Sequence, residues 1–375
     1  MKTRFLSLRR VATCAFLRRV AAALMALRRV AAALMALRRV AALAAFALLA
    51  FAALMPARAR AGDYASVLVF HRFGESALPS TSVSIDALDS YIKALKSGPY
   101  HVLPLGAVIA AFRAHKDLPD RTVAITVDDA FESVYTRAWP RLKAAGLPFT
   151  LFVATKPVDG GYRDFMSWDQ IRALAAAGVE IGAHSETHPH MPLLSDAAIA
   201  REIANSNARF KAELGKVPTL FAYPYGEMSA AVRAAVIKAG YLAAMGQQSG
   251  VAYAGGDLYF LPRFSFDEDF GTLERFKLAI DALPFPVSDL EPADPLTRAN
   301  PPTLTLTVGP EVGPLGRVNC YTVPVRKVTV SVVGARRIEI RADKPFAYGR
   351  ARVNCTAPGP DKRWRWFGEQ FFIEK

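Results

Sequence analysis

Short apolar runs and longer helical stretches alternate along the chain between residues 63 and 285. Six of the runs are rich in β-branched and aromatic residues and have the length of buried strands. They are SVLVFH (66–71), VAITVDD (123–129), FTLFVAT (149–155), VEIGAH (179–184), LFAYPYG (220–226) and YLAAMG (241–246). The stretches between them have the spacing of amphipathic helices. This alternation predicts a parallel α/β fold, and a barrel in preference to an open sheet.

Two of the helical stretches carry recognisable end signals. Residues 131–146 end at Gly146 and residues 167–178 end at Gly178, and glycine commonly follows the last turn of a helix. Ser167 has Gln170 three residues later, which is the spacing of a capping box. We therefore expect the second helix to begin directly after Ser167.

The pattern changes after residue 285. Residues 286–302 are rich in proline and aspartate and keep no hydrophobic period, so they are predicted to be a linker. The segments TLTLTVG, KVTVSVV and RRIEIRA that follow alternate at period two. Residues 303–375 are thus predicted to form a small, sandwich-like, all-β accessory domain behind a catalytic domain at 63–285.

The first 61 residues form a basic, repetitive leader. The sequence LRRVAAALMA occurs twice, a partial third copy follows, and the uncharged run 40–55 precedes a small-x-small site at residues 59–61. These features predict a secretory signal peptide, with an uncleaved membrane anchor or a basic nucleic-acid-binding arm as alternatives. The formal charge of +14 falls to +2 without the leader. The body of the protein therefore gives no indication of a nucleic-acid partner.

Cysteine usage fits export. Cys14 lies in the leader, and the rest of the chain contains only Cys320 and Cys355, both in the predicted β region. In a secreted β-rich segment, two such cysteines are predicted to form a disulfide; the alternative is two buried free thiols.

Polar residues stand at the carboxyl ends of several predicted strands. His71, the pair Asp128 and Asp129, His184 and Tyr225 each follow an apolar run. In a parallel barrel the carboxyl ends of the strands open on one rim, where side chains that carry chemistry collect. The sequence thus predicts one site that brings these residues together.

His184 and His188 lie four residues apart in GAHSETHPH, and Pro189 disfavours helix at His188. Two imidazoles and one carboxylate are a common ligand set for a catalytic zinc that leaves positions open for water and substrate. Alone, the two histidines could equally be structural. With a carboxylate pair on the same rim, they predict a metal site.

Three segments resemble the motifs of a known family, the NodB-homology polysaccharide deacetylases. TVDDAF is similar to the first motif, HSETHPH to the second and FAYPYG to the third, and the resemblance spans about residues 63–285. It implies a deformed (β/α) barrel that removes acetyl groups from N-acetylated sugars. It also implies that Asp129, His184 and His188 hold a divalent metal, with zinc as the first expectation and cobalt or nickel as alternatives.

The same resemblance implies roles for further residues. Asp128 would act as general base, the backbone N–H of Tyr225 would stabilise an oxyanion, and Arg263 in LPRF would orient the base. The family usually places its general acid in a late histidine motif, but no histidine follows His190. His71 is therefore expected to be the acid, as in a subset of exopolysaccharide deacetylases that looks circularly permuted.

Two departures from the family pattern and one negative expectation complete the site. Ala130 and Val127 stand where the family usually has Gly and Phe. His190 is expected to be non-catalytic.

In the C-terminal region, Trp364 and Trp366 are expected to belong to an aromatic core strand, with stacking on a sugar ring as the alternative.

The sequence thus predicts a secreted, periplasmic or extracellular, metal-dependent N-deacetylase acting on an amino-sugar polymer. It would contact a membrane only if the leader is uncleaved. Two alternatives stay open: an O-acetyl esterase acting on xylan-like polymers, and a carbohydrate-binding protein without turnover.

Overall fold

The computed structural model describes residues 62–375 together with the single residues Met25 and Met35. The predictions for the leader therefore lie outside the described residues. No helix within the described part is long and apolar enough to cross a membrane. Residues 62–375 belong to one compact unit.

The first part of that unit alternates strands and helices, as the hydrophobic pattern predicts. Its strands are β1 (Tyr64–Phe70), β2 (Arg72–Phe73), β3 (Ser82–Val83), β4 (His101–Val102), β5 (Thr122–Val127), β6 (Thr150–Val153), β7 (Glu180–Ala183), β8 (Leu220–Ala222), β9 (Ala243–Met245), β10 (Ala252–Tyr253), β11 (Phe264–Ser265) and β12 (Leu283–Pro284). Its α-helices are α1 (Ile85–Ser97), α2 (Leu105–Arg113), α3 (Trp139–Ala145), α4 (Thr155–Asp159), α5 (Trp168–Ala176), α6 (Asp196–Leu214), α7 (Ala230–Lys238) and α8 (Leu273–Ile280).

The main sheet has the order β10-β1-β5-β6-β7-β8-β9, with β4 paired to β5 and β11 to β1. The strands from β1 to β9 on this path are parallel, and β10 is antiparallel to β1. On the far side, a single isolated bridge joins Met245 of β9 to Leu261. This sheet is a curled, incompletely closed barrel, so the deformed barrel and the α/β class are confirmed.

Two local details follow directly from the sequence. Ser167 and Gln170 form the predicted capping box at the start of α5. The helix predicted over 131–146 instead begins with a π-helical turn, Val134–Ala138, in which the Trp139 N–H bonds to Val134 O. Pro140, near the start of α3, has no N–H to donate to the preceding turn, which interrupts the regular α pattern.

The C-terminal part is all β. Its strands are β13 (Val287–Glu291), β14 (Leu296–Thr297), β15 (Thr303–Val308), β16 (Asn319–Val323), β17 (Val328–Val332), β18 (Arg337–Ala342), β19 (Gly349–Pro358) and β20 (Trp364–Ile373). One sheet has the order β12-β20-β19-β16 with β14 beside β20, and the other has the order β13-β15-β18-β17. Alternate residues of both sheets, such as Leu304, Ile340 and Val353, share one buried cluster. This is the small β sandwich expected from the period-two segments.

The segment predicted as a linker contributes strands to this sandwich. β13 pairs with β15, and β14 pairs with β20. Val287 and Leu290 both pack against the sandwich core although they are three positions apart, because the pairing register of β13 shifts between Ser288 and Glu291, so the sequence shows no period-two pattern there. Within the β12-β20-β19-β16 sheet, Cys320 and Cys355 are opposite neighbours on β16 and β19 and form the predicted disulfide. The exact division into domains stays a prediction.

Candidate active site

Parallel strand pairing brings the predicted residues to one rim. The Asp128 N–H donates to Phe70 O at 2.9 Å, which places Asp128 beside the end of β1, where His71 follows. The His184 N–H donates to Val153 O at 3.0 Å. The main-chain hydrogen bonds between the strands thus extend one residue past the strand ends, and they fix the backbone positions of Asp128 and His184.

Asp128 forms a buried ion pair with Arg263. Both side chains have no solvent exposure, and the two guanidinium nitrogens each donate to one carboxylate oxygen at 2.8 Å. Arg263 also donates through Nε to Gly246 O at 2.8 Å, which fixes the orientation of its planar group. Burial acts to raise the pKa of Asp128, but Arg263 and then His184 lower it below the ordinary value. Asp128 is therefore held ionised in one orientation.

Asp129, His184 and His188 form a triangle of possible metal-ligand atoms. Oδ1 of Asp129 lies 3.4 Å from Nε2 of His184 and 3.2 Å from Nε2 of His188, and the two Nε2 atoms are 3.2 Å apart. For a tetrahedral metal with bonds of about 2.0–2.1 Å, neighbouring ligand atoms lie about 3.3–3.4 Å apart. The three donors therefore fit a small divalent cation such as zinc.

The protons and charges of the three residues follow from their neighbours. Nδ1 of His184 lies 2.7 Å from Ala222 O, which can only accept, so this nitrogen carries a proton and Nε2 faces Asp129 and His188. Burial acts to lower the pKa of His184, but Asp128 and then Asp129 raise it above the ordinary value. Burial, followed by the neighbouring His184, lowers the pKa of His188 to about 4. Burial acts to raise the pKa of Asp129, but the two histidines lower it below the ordinary value. Near neutral pH, His188 is thus a neutral donor and Asp129 an anionic one.

Several residues of this rim adopt left-handed backbone conformations that favour glycine. They are Asp129 (φ 74°), Ala130 (φ 62°), Ser185 (φ 66°), His188 (φ 57°) and Tyr225 (φ 58°). The turn that carries His188 is closed by its own N–H, which donates to Ser185 Oγ at 3.0 Å. Through this turn, rather than through a helix, a four-residue spacing brings both imidazoles to one point. Ala130, where the family usually has Gly, keeps the glycine-like conformation.

A cavity of about 1210 Å³ opens over these residues. His71 faces it together with Asp129 and His188, and Nε2 of His71 lies 3.5 Å from the Gln247 amide nitrogen. Tyr225 lines the same cavity. Every residue predicted for the site is thus found at this rim or, for Arg263, directly beneath it.

Sequence reasoning missed the second wall of this cavity. His190 stacks on the ring of Tyr225 at 4.4 Å between ring centroids and 18° between planes, and its Nδ1 lies 2.7 Å from the buried Glu227. Arg350 and Phe372, from β19 and β20, belong to the same wall: the Phe372 ring lies 5.9 Å from the His190 ring, and the Arg350 guanidinium lies 5.6 Å from the Tyr225 ring. The histidine two residues after His188 was a visible signal. The period-two pattern around Arg350 and Phe372 gave no signal that these residues line the cavity. Such a pattern does not show which face of a strand meets another part of the fold.

The two tryptophans of β20 differ in exposure. Trp366 is partly buried and packs edge-on against Phe264 of the barrel, with ring centroids 5.5 Å apart. Trp364, by contrast, is 43% exposed. Trp366 therefore matches the expected core position, whereas Trp364 lies at the surface.

Comparison with known proteins agrees with this geometry. Residues 115–244 match the family model described as polysaccharide deacetylase. The poly-β-1,6-N-acetyl-D-glucosamine N-deacetylase of Staphylococcus aureus is 25% identical over 229 residues, which cover 56% of this chain and 77% of that protein.

Two solved structures share the fold. The Streptococcus pyogenes deacetylase PplD has a TM-score of 0.54 at 21% identity, covering 58% of this chain and 98% of that one. IcaB from Ammonifex degensii has a TM-score of 0.51 at 24% identity, and the match covers 58% of this chain and 96% of IcaB. Residues 115–244 thus match a polysaccharide deacetylase domain, and the solved deacetylase structures share the fold of this chain.

Proposed function

We propose that this protein is a metal-dependent N-deacetylase that hydrolyses the acetyl amides of an amino-sugar polymer. The observation that carries the proposal is the triangle of Asp129, His184 and His188 directly beside the buried Asp128–Arg263 pair. The S. aureus relative supports a polymer of N-acetylglucosamine as the substrate class. The cavity of about 1210 Å³ exceeds the usual volume of a small-molecule site, as a polymer would require.

Asp129, His184 and His188 would hold a divalent metal, with zinc first and cobalt or nickel as alternatives. When bound there, the ion would supply Lewis acidity at the acetyl group and at the attacking water. The cation would also offset the repulsion between Asp128 and Asp129, whose charges lie side by side in a buried site.

Asp128 would accept the proton of the attacking water. A base must present its lone pair in a fixed direction, and the two bonds from Arg263 hold both carboxylate oxygens. The Tyr225 N–H lies in the first turn of a 3-10 helix, Pro224–Gly226, where N–H groups have no acceptor within the helix. It would donate to the oxygen on which negative charge develops.

His71 would donate a proton to the sugar nitrogen as the C–N bond breaks, because an unprotonated amine is a poor leaving group. His71 lines the same cavity as Asp129 and His188, and the substrate amide would lie between the metal site and this imidazole. Its position directly after β1 fits the early acid expected for the circularly permuted subset. The leader would direct the protein out of the cytoplasm, to the periplasm or beyond, where such polymers occur.

The experiment is acetate release from β-1,6-linked N-acetylglucosamine oligomers by the purified protein, stripped of metal and then reloaded with zinc or cobalt. Bound metal is counted independently by equilibrium dialysis. We expect one ion per chain, lost in Asp129→Ala, and metal-dependent release abolished in Asp128→Asn. Asp169→Asn, an exposed aspartate on α5, is the matched control and should leave release unchanged.

The role of His71 is tested separately with His71→Gln and the exposed control His101→Gln. General acid catalysis contributes about 10²–10⁴-fold, so His71→Gln should lower kcat on the amide by about that factor. Bound metal without release from N-acetyl oligomers, together with release from acetylated xylan, would contradict the proposal and indicate the O-acetyl esterase. Bound metal with no release from either substrate would indicate a binding protein.

A further inference from the structure

The C-terminal β hairpin reaches into the active site through Gln370. This residue lies in β20, its side chain is buried, and its Nε2 donates to the main-chain oxygen of Tyr225 at 3.1 Å. Tyr225 stands 145 residues earlier, on the rim of the barrel. The bond therefore joins the sandwich to the turn that carries the proposed oxyanion donor.

The chemistry of its neighbours fixes the orientation of the Gln370 amide. Nε of Arg352 donates to Oε1 of Gln370 at 2.7 Å, and the two residues are cross-strand partners on β19 and β20. Arginine can only donate, so the amide oxygen must face Arg352, and the amide nitrogen must face the Tyr225 carbonyl. A partly buried chain of two hydrogen bonds thus ends on Tyr225.

Tyr225 requires such support. Its backbone has φ 58° and ψ 8°, a left-handed conformation that costs a non-glycine residue about 1–2 kcal/mol. Strained conformations of this kind persist only where the surrounding structure holds them. The ring of Tyr225 contacts His190, which stacks on it, and the guanidinium of Arg350, 5.6 Å from the ring centroid. Gln370 holds the main chain of the same residue.

We propose that the β19–β20 hairpin is a positioning element of the active site, in which Gln370 fixes the Tyr225 main chain so that its N–H points to the developing oxyanion. The inference rests on the proposed function, because it concerns the oxyanion donor of that reaction. Restraining the Tyr225 carbonyl limits rotation about both dihedral angles of the residue, and the direction of the N–H depends on them. The sandwich thus completes the catalytic site rather than serving only as an appended module.

The test is Gln370→Glu. Glutamate keeps the length of the side chain and the contact with Arg352, but it presents an oxygen where the amide nitrogen donated. Two acceptors then face each other, and the Tyr225 carbonyl loses its donor. Loss of an interaction that forms only in the transition state lowers kcat and leaves KM unchanged. We expect kcat for acetate release to fall by at least about 10-fold with KM within about 3-fold, since losing an oxyanion donor outright costs about 10²–10³-fold.

Gln170→Glu is the matched control. Gln170 occupies the capping box of α5, where glutamate serves equally well, so this variant should keep both kcat and KM. A second variant, Arg352→Met, removes the residue that orients the Gln370 amide and fills its space with an unbranched apolar chain. It should lower kcat by a smaller factor, and it keeps the inference testable if Gln370→Glu fails to fold.

The outcomes separate this inference from the proposed function. No acetate release by the wild-type protein would overturn the proposed function and the role of Gln370 with it. Wild-type release together with unchanged kcat in folded Gln370→Glu, or in Arg352→Met where the former does not fold, would overturn the role of Gln370 alone. A rise in KM at constant kcat would also overturn it, because it would make Gln370 a substrate-binding residue.

Discussion

Glu369 is a buried carboxyl group whose ionisation should oppose folding. Its residue exposure is 6%, and among residues 62–375 no lysine or arginine forms an ion pair with it. Its Oε1 accepts one hydrogen bond, from the Gln370 N–H at 3.2 Å. Burial raises the pKa of Glu369 from 4.5 to about 8, and this single bond does not offset the effect. We therefore expect the change Glu369→Gln to alter how stability depends on pH.

The sign and size follow from proton linkage. The pKa of Glu369 is about 4.5 in the unfolded chain and about 8 in the folded protein. A carboxyl with a raised folded-state pKa contributes its full stabilisation below the unfolded-state pKa, and this stabilisation is lost as the pH rises to the folded-state pKa. Each pH unit within that window corresponds to about 1.4 kcal/mol, so the total reaches about 5 kcal/mol. Glutamine stays neutral and cannot lose this contribution. The stability of Glu369→Gln relative to wild type should therefore rise by up to about 5 kcal/mol between pH 4.5 and 8.

The assay is urea unfolding of the metal-free protein at half-unit steps of pH from 4.5 to 8.5. The difference between variant and wild type isolates Glu369, because the other titrating groups are common to both proteins. Glu132→Gln, at an exposed position, is the control and should show a constant difference. A difference between Glu369→Gln and wild type that stays constant with pH would refute the reasoning, and so would one that falls as pH rises.

Two further predictions concern the covalent and ionic links of the fold. Arg263→Met should lower the free energy of unfolding of the metal-free protein by about 3–5 kcal/mol, because it leaves the buried Asp128 carboxylate without its cation. Adding Asp128→Asn should recover part of that loss, and urea unfolding that shows no recovery would contradict the ion-pair argument. Replacing both Cys320 and Cys355 with alanine opens a loop defined by a sequence separation of 35 residues and should cost about 4 kcal/mol. A variant whose melting temperature equals that of the oxidised wild type would contradict this estimate.

The barrel could be predicted because its strands are continuous apolar runs with chemistry at their ends. The run from Ser66 to Phe70 and the run before Asp128 both form parallel strands, and the polar residue that follows each lies on the rim. The sequence of each strand and the polar residue after it are enough to predict this position. In a parallel sheet the carboxyl ends of all strands lie at the same edge, which is the edge that carries the site. The capping box at Ser167 was predictable for the same reason, because both of its partners lie within one turn.

Contacts between distant segments were harder to predict. Arg263 lies 135 residues from Asp128, and only a family resemblance connected the two. The β13 strand was hidden because its two core-packing residues, Val287 and Leu290, are three positions apart, and a register shift between Ser288 and Glu291 breaks the period-two pattern. Gln370 lies in β20, where the alternation of residues separates the two faces of the strand but does not show which face contacts the barrel. That choice depends on packing between the sandwich and the barrel, which no short window of sequence contains.

The left-handed residues around the rim have a consequence for protein engineering. Asp129, Ala130, Ser185, His188 and Tyr225 together store about 5 kcal/mol or more of backbone strain, an amount comparable to the net stability of many domains. Selection for heat resistance alone should therefore favour glycine at these positions, and at four of them it would remove a side chain that builds the site. At Ala130 the side chain is a buried methyl group without a polar atom. Directed evolution could exploit this one position without touching the chemistry.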